Sequence, residues 1–344
     1  MSLMDLKKKI EKASKGSHVS ILSESDIAQI DTWISTPSYR LNHILQNDLF
    51  KGIPEKSLVG VVGEYASFKS SVSALLASDA QNNGFQVIII DTEGSWTKEF
   101  TSRWGIKAED ALYIYESMID NVTNIIGQIL DSDDEKFFII LDSLGGLETN
   151  KLFDEAVKGD IKSDQGQLQK KIKRMLKLLV SLIKKKKSIG IIAGHMYAGP
   201  AASMFAETEH IGGGKYFPLS LDILLSSKKK KKLDKDKNVI GTLIKLTSLK
   251  NRYSPPGRTC EIDIDFTNGI NKNHGIIDLA LDAGLIEQKG AGWMTNTLTE
   301  EKVQGSEKAE VWIDDNLLEK LNEYIKKDDY SSKDIEVQEF LSET

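Results

Sequence analysis

Val61–Ser71 reads VVGEYASFKSS, and whether this stretch is a phosphate-binding loop decides the fold. Such loops follow G-x-x-x-x-G-K-[ST]. The residues here are Gly63, Glu64, Tyr65, Ala66, Ser67, Phe68, Lys69 and Ser70, followed by Ser71, so phenylalanine stands where the second glycine belongs. Context supports the motif despite that break. A phosphate loop leaves a buried strand and opens a helix, so that backbone N–H groups and the helix dipole cradle the phosphates. SLVGVV, residues 57–62, reads as that strand, and SSVSALLASDAQNN, residues 70–83, reads as that helix, closed by Asn-Gly. In this setting Lys69 is expected to reach the β- and γ-phosphates, and the Ser70 hydroxyl to ligate Mg²⁺.

Working outward, short apolar runs alternate with helical patterns. The runs are FQVIIID (85–91), ALYIY (111–115), FFIILDS (137–143) and IGIIAGH (189–195). Between the last two, residues 166–187 carry Leu168, Ile172, Leu176, Leu179 and Ile183 at helical spacing. Apolar strands separated by helices predict a mostly parallel sheet covered on both faces, an α/β fold. After residue 220 the rhythm changes to LDILLSS, VIGTLIKLTSLK and TCEIDIDF, read as consecutive antiparallel strands extending the sheet. The first two are expected to be joined by a lysine-rich loop, residues 228–237. Met4–Ala13 reads as a short helix and HVSIL (18–22) as a lone strand. The expected organisation is an N-terminal arm (1–35), a core (36–269), a small C-terminal α/β domain (270–327) and an acidic tail (328–344).

In an open parallel sheet, chemistry gathers at the carboxyl ends of the strands. Two acids fall there. Asp142 follows a run of apolar residues and is expected to hold Mg²⁺, through water. Glu93, just after the IIID strand end, is expected to orient and deprotonate an attacking water.

Composition narrows the class. The 344 residues, 40% hydrophobic and 28% charged, suffice for a core of about 200–250 residues with an accessory domain. No apolar run approaches the ~18 residues of a membrane span, the N-terminus lacks an apolar signal core, and the lone Cys260 has no disulfide partner. An intracellular, cytoplasmic protein without a membrane partner is expected. The net charge of −6 is uneven: residues 150–187 hold twelve Lys/Arg against four acids, whereas residues 298–344 hold six lysines against fourteen acids. An acidic chain can thus present a basic face, for which its own acidic tail can compete.

At the loop and its downstream acids the chain resembles the RecA family of recombinases, closest to the phage UvsX branch, whose loop also reads S-F-K-S. The likeness runs from about residue 30 to about 325. It includes STPSYRLNHIL, DTEGSWTKEFTSRWGI, IIAGHMYAG, LTSLKNRYSPPGR, GAGWM and AEVWIDDN. The resemblance implies a RecA-type ATPase core using ATP and Mg²⁺. It implies that Phe100 stacks on adenine, that His195 senses the γ-phosphate, and that Lys250 and Arg252 reach into a neighbouring subunit's ATP. It implies two DNA-contacting loops, residues 156–167 and 196–215, with Lys158, Lys162, Tyr197, Met204, Phe205 and Lys215 as contacts. Aromatic stacking there would tolerate any base. It further implies binding of single- and double-stranded DNA, a helical homo-oligomeric filament, single-strand-binding and mediator partners, and a bacterial host cell if the origin is phage. A ring-forming helicase or translocase on the same core remains the alternative, with a non-catalytic nucleotide-gated DNA-binding module as a third reading.

Overall fold

The computed structural model describes residues 1–14, 17–131, 136–158, 165–198, 209–234 and 236–327. Lys162, Met204, Phe205 and the tail 328–344 lie outside the described residues.

The chain opens with α1 (Leu3–Ala13), which buries none of its residues. Residues 18–21 form no strand and lead into a 3₁₀ turn at Leu22–Glu24, which corrects the expected lone strand. A two-stranded ribbon of β1 (Trp33–Ile34) and β2 (Ile53–Pro54) flanks α2 (Tyr39–Gln46). Then come β3 (Ser57–Gly63), α3 (Lys69–Asn82), β4 (Gln86–Asp91), α4 (Lys98–Arg103), β5 (Ala111–Tyr115), α5 (Ile119–Asp131) and β6 (Phe137–Asp142). The core continues through α6 (Asn150–Lys158), α7 (Gln165–Lys185), β7 (Ile189–Ala198), β8 (Glu209–Ile211) and α8 (Tyr216–Ser220). Next are β9 (Ile223–Leu233), β10 (Val239–Asn251), β11 (Thr259–Asp265) and β12 (Gly269–Asn271).

Ten strands form one sheet in the order β12-β11-β10-β9-β3-β7-β6-β4-β5, with β8 paired to β7. From β9 to β5 neighbours are parallel; β10, β11, β12 and β8 pair antiparallel. The predicted mostly parallel α/β sheet with an antiparallel extension is present. One detail differs, because β9 is itself parallel to β3 and the antiparallel part begins at β10. Burial on both faces explains the continuous apolar runs: all seven residues of β3 and all six of β6 are buried. One cluster packs α2 and α3 on one face, and a second packs α5 and α7 on the other.

The lysine run expected in a loop is instead strand. Lys228–Lys232 belong to β9, in register with Lys245–Gly241 of β10. The described parts of both stretches expected as DNA loops are largely regular structure. α6 runs to Lys158 and α7 starts at Gln165, while Met196–Ala198 pair with Glu209–Ile211 as a hairpin.

The C-terminal module comprises α9 (Ile276–Asp282), a sheet of β13 (Ile286–Lys289), β14 (Trp293–Asn296) and β15 (Lys302–Gln304), α10 (Ser306–Ala309) and α11 (Asp315–Lys327). It docks on the turn after α2: Leu49 joins Leu318 and Leu321 in a small core, and Asn322 Oδ1 accepts from Leu49 N at 2.8 Å.

Candidate active site

The phosphate-loop reading rests on backbone geometry. β3 ends at Gly63, where a Cβ would lie 2.4 Å from Ser67 Oγ and 2.5 Å from the Ser227 carbonyl oxygen, so this position admits only glycine. The loop returns to α3 through Phe68, at φ 67°, ψ 26°. The position where the motif has glycine therefore does need a left-handed backbone, and Phe68 adopts it at a cost of about 1–2 kcal/mol. Its ring supplies compensation. The ring is half-buried against the first core cluster, and Lys229 Nζ lies 5.2 Å from its centroid. Ser227 Oγ donates to the Ser67 carbonyl at 2.5 Å, fastening the loop to β9.

Lys69 is buried and its ammonium donates to the carbonyls of Gly63 at 3.2 Å and Glu64 at 2.7 Å. Burial pushes its proton affinity down; the carboxylates of Asp142 and Glu93 oppose this. Asp142 ends β6, 4% exposed, and pairs with the Ser70 hydroxyl and with Trp96 Nε1 at 2.8 Å. Its carboxyl is pushed up by burial, against the hydrogen bonds from Ser70 and Trp96. A hydroxyl and a carboxylate side by side are hard oxygen donors of the kind Mg²⁺ takes, and the steric cradle at Gly63 suits a phosphate chain, so the residues present fit both groups.

Glu93 Oε1 accepts from Ser143 Oγ at 2.5 Å and lies 3.5 Å from His195 Nε2. His195 is on β7 directly beside Gly63 in the parallel register. Four strand ends, β3, β4, β6 and β7, thus bring Lys69, Ser70, Glu93, Asp142 and His195 into one cluster. Asp91 shapes the Glu93 turn: its carboxylate accepts from the backbone N–H of Glu93, Gly94 and Trp96 at 2.9–3.0 Å and from Tyr113 Oη at 3.1 Å. Gly146 packs so closely that a Cβ there would lie 2.2 Å from Thr92 Oγ1. Asp91, Trp96 and Ser143 escaped the sequence reading. The strand-terminal acid of FQVIIID was the available signal for the first; nothing marked the other two.

Phe100 makes edge contacts with Trp96 and Trp104, at 5.1 and 6.4 Å between ring centroids, and Trp96 in turn donates to Asp142. Lys250 and Arg252 stand elsewhere. They lie at the end of β10, in register with the start of β9, which pairs with the start of β3. That is level with Val59 and Gly60, about 10–13 Å short of Gly63 along β3 at roughly 3.3 Å per residue, and two strands away across the sheet. Of the DNA candidates, Lys158 ends α6, exposed Tyr197 lies on the β7–β8 hairpin, and exposed Lys215 precedes α8. The α8 ring of Tyr216 is covered by Lys173 and Lys177 of α7. Among the described residues no helix is long and apolar enough to cross a membrane.

Residues 2–271 match the family described as the RecA N-terminal domain. The chain is 25% identical over 267 residues to protein RecA of Bacillus subtilis (strain 168), covering 77% of this chain and 74% of that protein. It is 25% identical over 263 residues to protein RecA of Limosilactobacillus reuteri (strain DSM 20016), covering 76% and 70%. With protein RecA of Ureaplasma parvum serovar 3 (strain ATCC 700970) it shares 24% over 254 residues, covering 74% and 75%.

Proposed function

This chain belongs to the RecA family, and on that premise we propose that it is an ATP-dependent, single-stranded-DNA-binding recombinase whose filament carries out homologous pairing and strand exchange. The observation that carries the reading is the convergence of Lys69, Ser70, Glu93, Asp142 and His195 on the carboxyl edge of the sheet around a phosphate loop. The helicase alternative finds no support in the family match.

In this reading ATP lies along residues 63–71 with its β- and γ-phosphates at Lys69. Ser70 and Asp142 would hold Mg²⁺, which would supply neutralisation of phosphate charge as it develops. Glu93 accepts a proton from the attacking water, kept in place by Ser143 and His195 through the contacts at 2.5 and 3.5 Å. Asp91 fixes the backbone that carries Glu93. Phe100 takes the adenine face.

Lys250 and Arg252 act on a neighbour's nucleotide. Their distance from Gly63 of the same chain, about 10–13 Å along β3 and two strands across the sheet, supports this. The contact joins two different faces of the chain, so it can propagate as a helix without closing. The arm 1–35 supports assembly, 36–269 is the ATPase core, 270–327 is the accessory domain and 328–344 an acidic tail that restrains DNA binding. Lys158, Lys162, Tyr197, Met204, Phe205 and Lys215 face DNA, with single-strand-binding and mediator proteins as partners. Phe68 and His195 favour the UvsX branch of the family.

Complementation tests the shared site. Arg252→Ala and Glu93→Gln should each lose DNA-stimulated ATP hydrolysis, while a co-assembled mixture regains it where an intact Glu93 meets an intact Arg252. Mixed filaments without activity would refute catalysis in trans.

A further inference from the structure

At the amino end of β3, opposite the phosphate loop, a buried carboxylate organises the two cations. Asp222 is 2% exposed and sits between α8 and β9. Its Oδ2 accepts from Leu58 N at 3.0 Å and from Lys184 Nζ at 2.9 Å, and its Oδ1 lies 3.5 Å from Arg252 Nε. The backbone repeats the connection: Asp222 N donates to the Leu58 carbonyl at 2.8 Å, and Arg252 N donates to the Asp222 carbonyl at 3.1 Å. Lys250 is anchored on the same short segment, its ammonium donating to the carbonyls of Pro218 at 2.9 Å and Leu219 at 3.1 Å.

We propose that Asp222 is the positioning residue that presents Arg252 and Lys250 to the neighbouring subunit's nucleotide, an inference that rests on the shared-site reading above. Burying a carboxylate is costly unless it is paired, and for stability alone an apolar side chain serves as well. What the carboxylate adds is geometry and charge. It grips Arg252 by Nε while the side chain stays 56% exposed, and among the described residues no partner engages its Nη nitrogens. The guanidinium is held at its base with its outward edge available for a bidentate phosphate contact. Asp222 also acts on Lys250, whose proton affinity is lowered by burial and by Arg252 and sustained by Asp222. Lys184 pairs with the other carboxylate oxygen at 2.9 Å, so the buried charge has a cation on each side. Both cations thus refer to one point, fixed in turn to β3, so the strand that carries the phosphate loop at one end carries the donor cations at the other.

Asp222→Asn keeps an acceptor for Leu58 N and removes the charge. DNA-stimulated hydrolysis should fall on the order of 10- to 100-fold from misplacement of the donor cations, while binding of a fluorescent ADP analogue to the variant's own site is unchanged. The distinguishing readout is complementation. Mixed with Glu93→Gln, Asp222→Asn should recover turnover, because the Glu93→Gln subunit presents correctly held cations to an intact Glu93. Mixed with Arg252→Ala it should recover nothing, since both variants are defective on the same face. Recovery with Arg252→Ala, loss of ADP binding, wild-type turnover, or no recovery with Glu93→Gln would each overturn the role of Asp222. The Arg252→Ala and Glu93→Gln mixture runs as control: its failure overturns the shared site itself, and this inference with it. Should Asp222→Asn fold poorly, Lys184→Met/Asp222→Asn removes both charges together and enters the same mixtures, with the same outcomes decisive.

Discussion

Restoring the motif glycine at position 68 measures how the loop tolerates phenylalanine. Phe68→Gly and Phe68→Ala lose the same contacts: a half-buried ring worth about 1–2 kcal/mol and a cation–π contact with Lys229, at 5.2 Å, worth about 0.5–1 kcal/mol. They differ in the backbone. At φ 67°, alanine retains a left-handed penalty of about 1–2 kcal/mol that glycine escapes. Glycine gives back about 0.5–1 kcal/mol in unfolded-state entropy. Phe68→Gly should therefore be the more stable of the two by about 0.5–1 kcal/mol, although alanine is normally the better residue at a helix start or interior. Both fall below wild type. Thermal unfolding followed by tryptophan fluorescence ranks the three proteins. Lys229→Ala should cost stability in the wild-type background and nothing in Phe68→Gly, which closes a double-mutant cycle. Equal or greater stability of Phe68→Ala would refute the left-handed strain and its offset by the ring.

Lys69→Ala should abolish ATP turnover, a loss of at least about 100-fold, because phosphoryl transfer depends on positioned positive charge; phosphate release measures it. Glu93→Gln should keep nucleotide binding, read by a fluorescent analogue, and lose hydrolysis. Stability against pH carries opposed contributions. Burial, with Arg40 and Arg258, pushes His43 down to about 3, so the unfolded chain binds the extra proton and stability falls by up to about 1.4 kcal/mol per pH unit as pH drops below ~6.5. Burial raises Asp79 to about 6, against Lys272, so its contribution grows as pH falls from about 6 to 4; Asp79→Asn should unmask the histidine slope in melting temperature against pH.

The sequence carried the strand, loop and helix around residues 57–82, Ser70 at a helix start, Asp142 at a strand end and the parallel sheet, because each is written in local pattern: apolar strands ending in a polar residue and followed by a helix. It misread whatever depends on pairing between distant strands. Lys228–Lys232 looks like a solvated loop, yet Lys230 meets Glu261 and Lys232 meets Asp263, each at 2.8 Å, across β10. Gly241 makes the second reach possible, as its missing side chain leaves room for Lys232. The Glu93 turn was likewise hidden. Asp91 caps it and Ser143 holds it from the residue after β6, and that partnership spans 50 residues. Phe68 was legible as an anomaly, and its partner Lys229 was not, because the contact joins the loop to a strand far along the chain.

The most direct measurement is strand exchange between a circular single strand and a homologous linear duplex, with ATP and Mg²⁺, by wild type and Lys69→Ala in parallel. The expected result is joint molecules that form only with homologous duplex, need ATP and are absent with Lys69→Ala. Unwinding of duplex regardless of homology, or ATP hydrolysis indifferent to single-stranded DNA with no joint molecules, would contradict the recombinase reading.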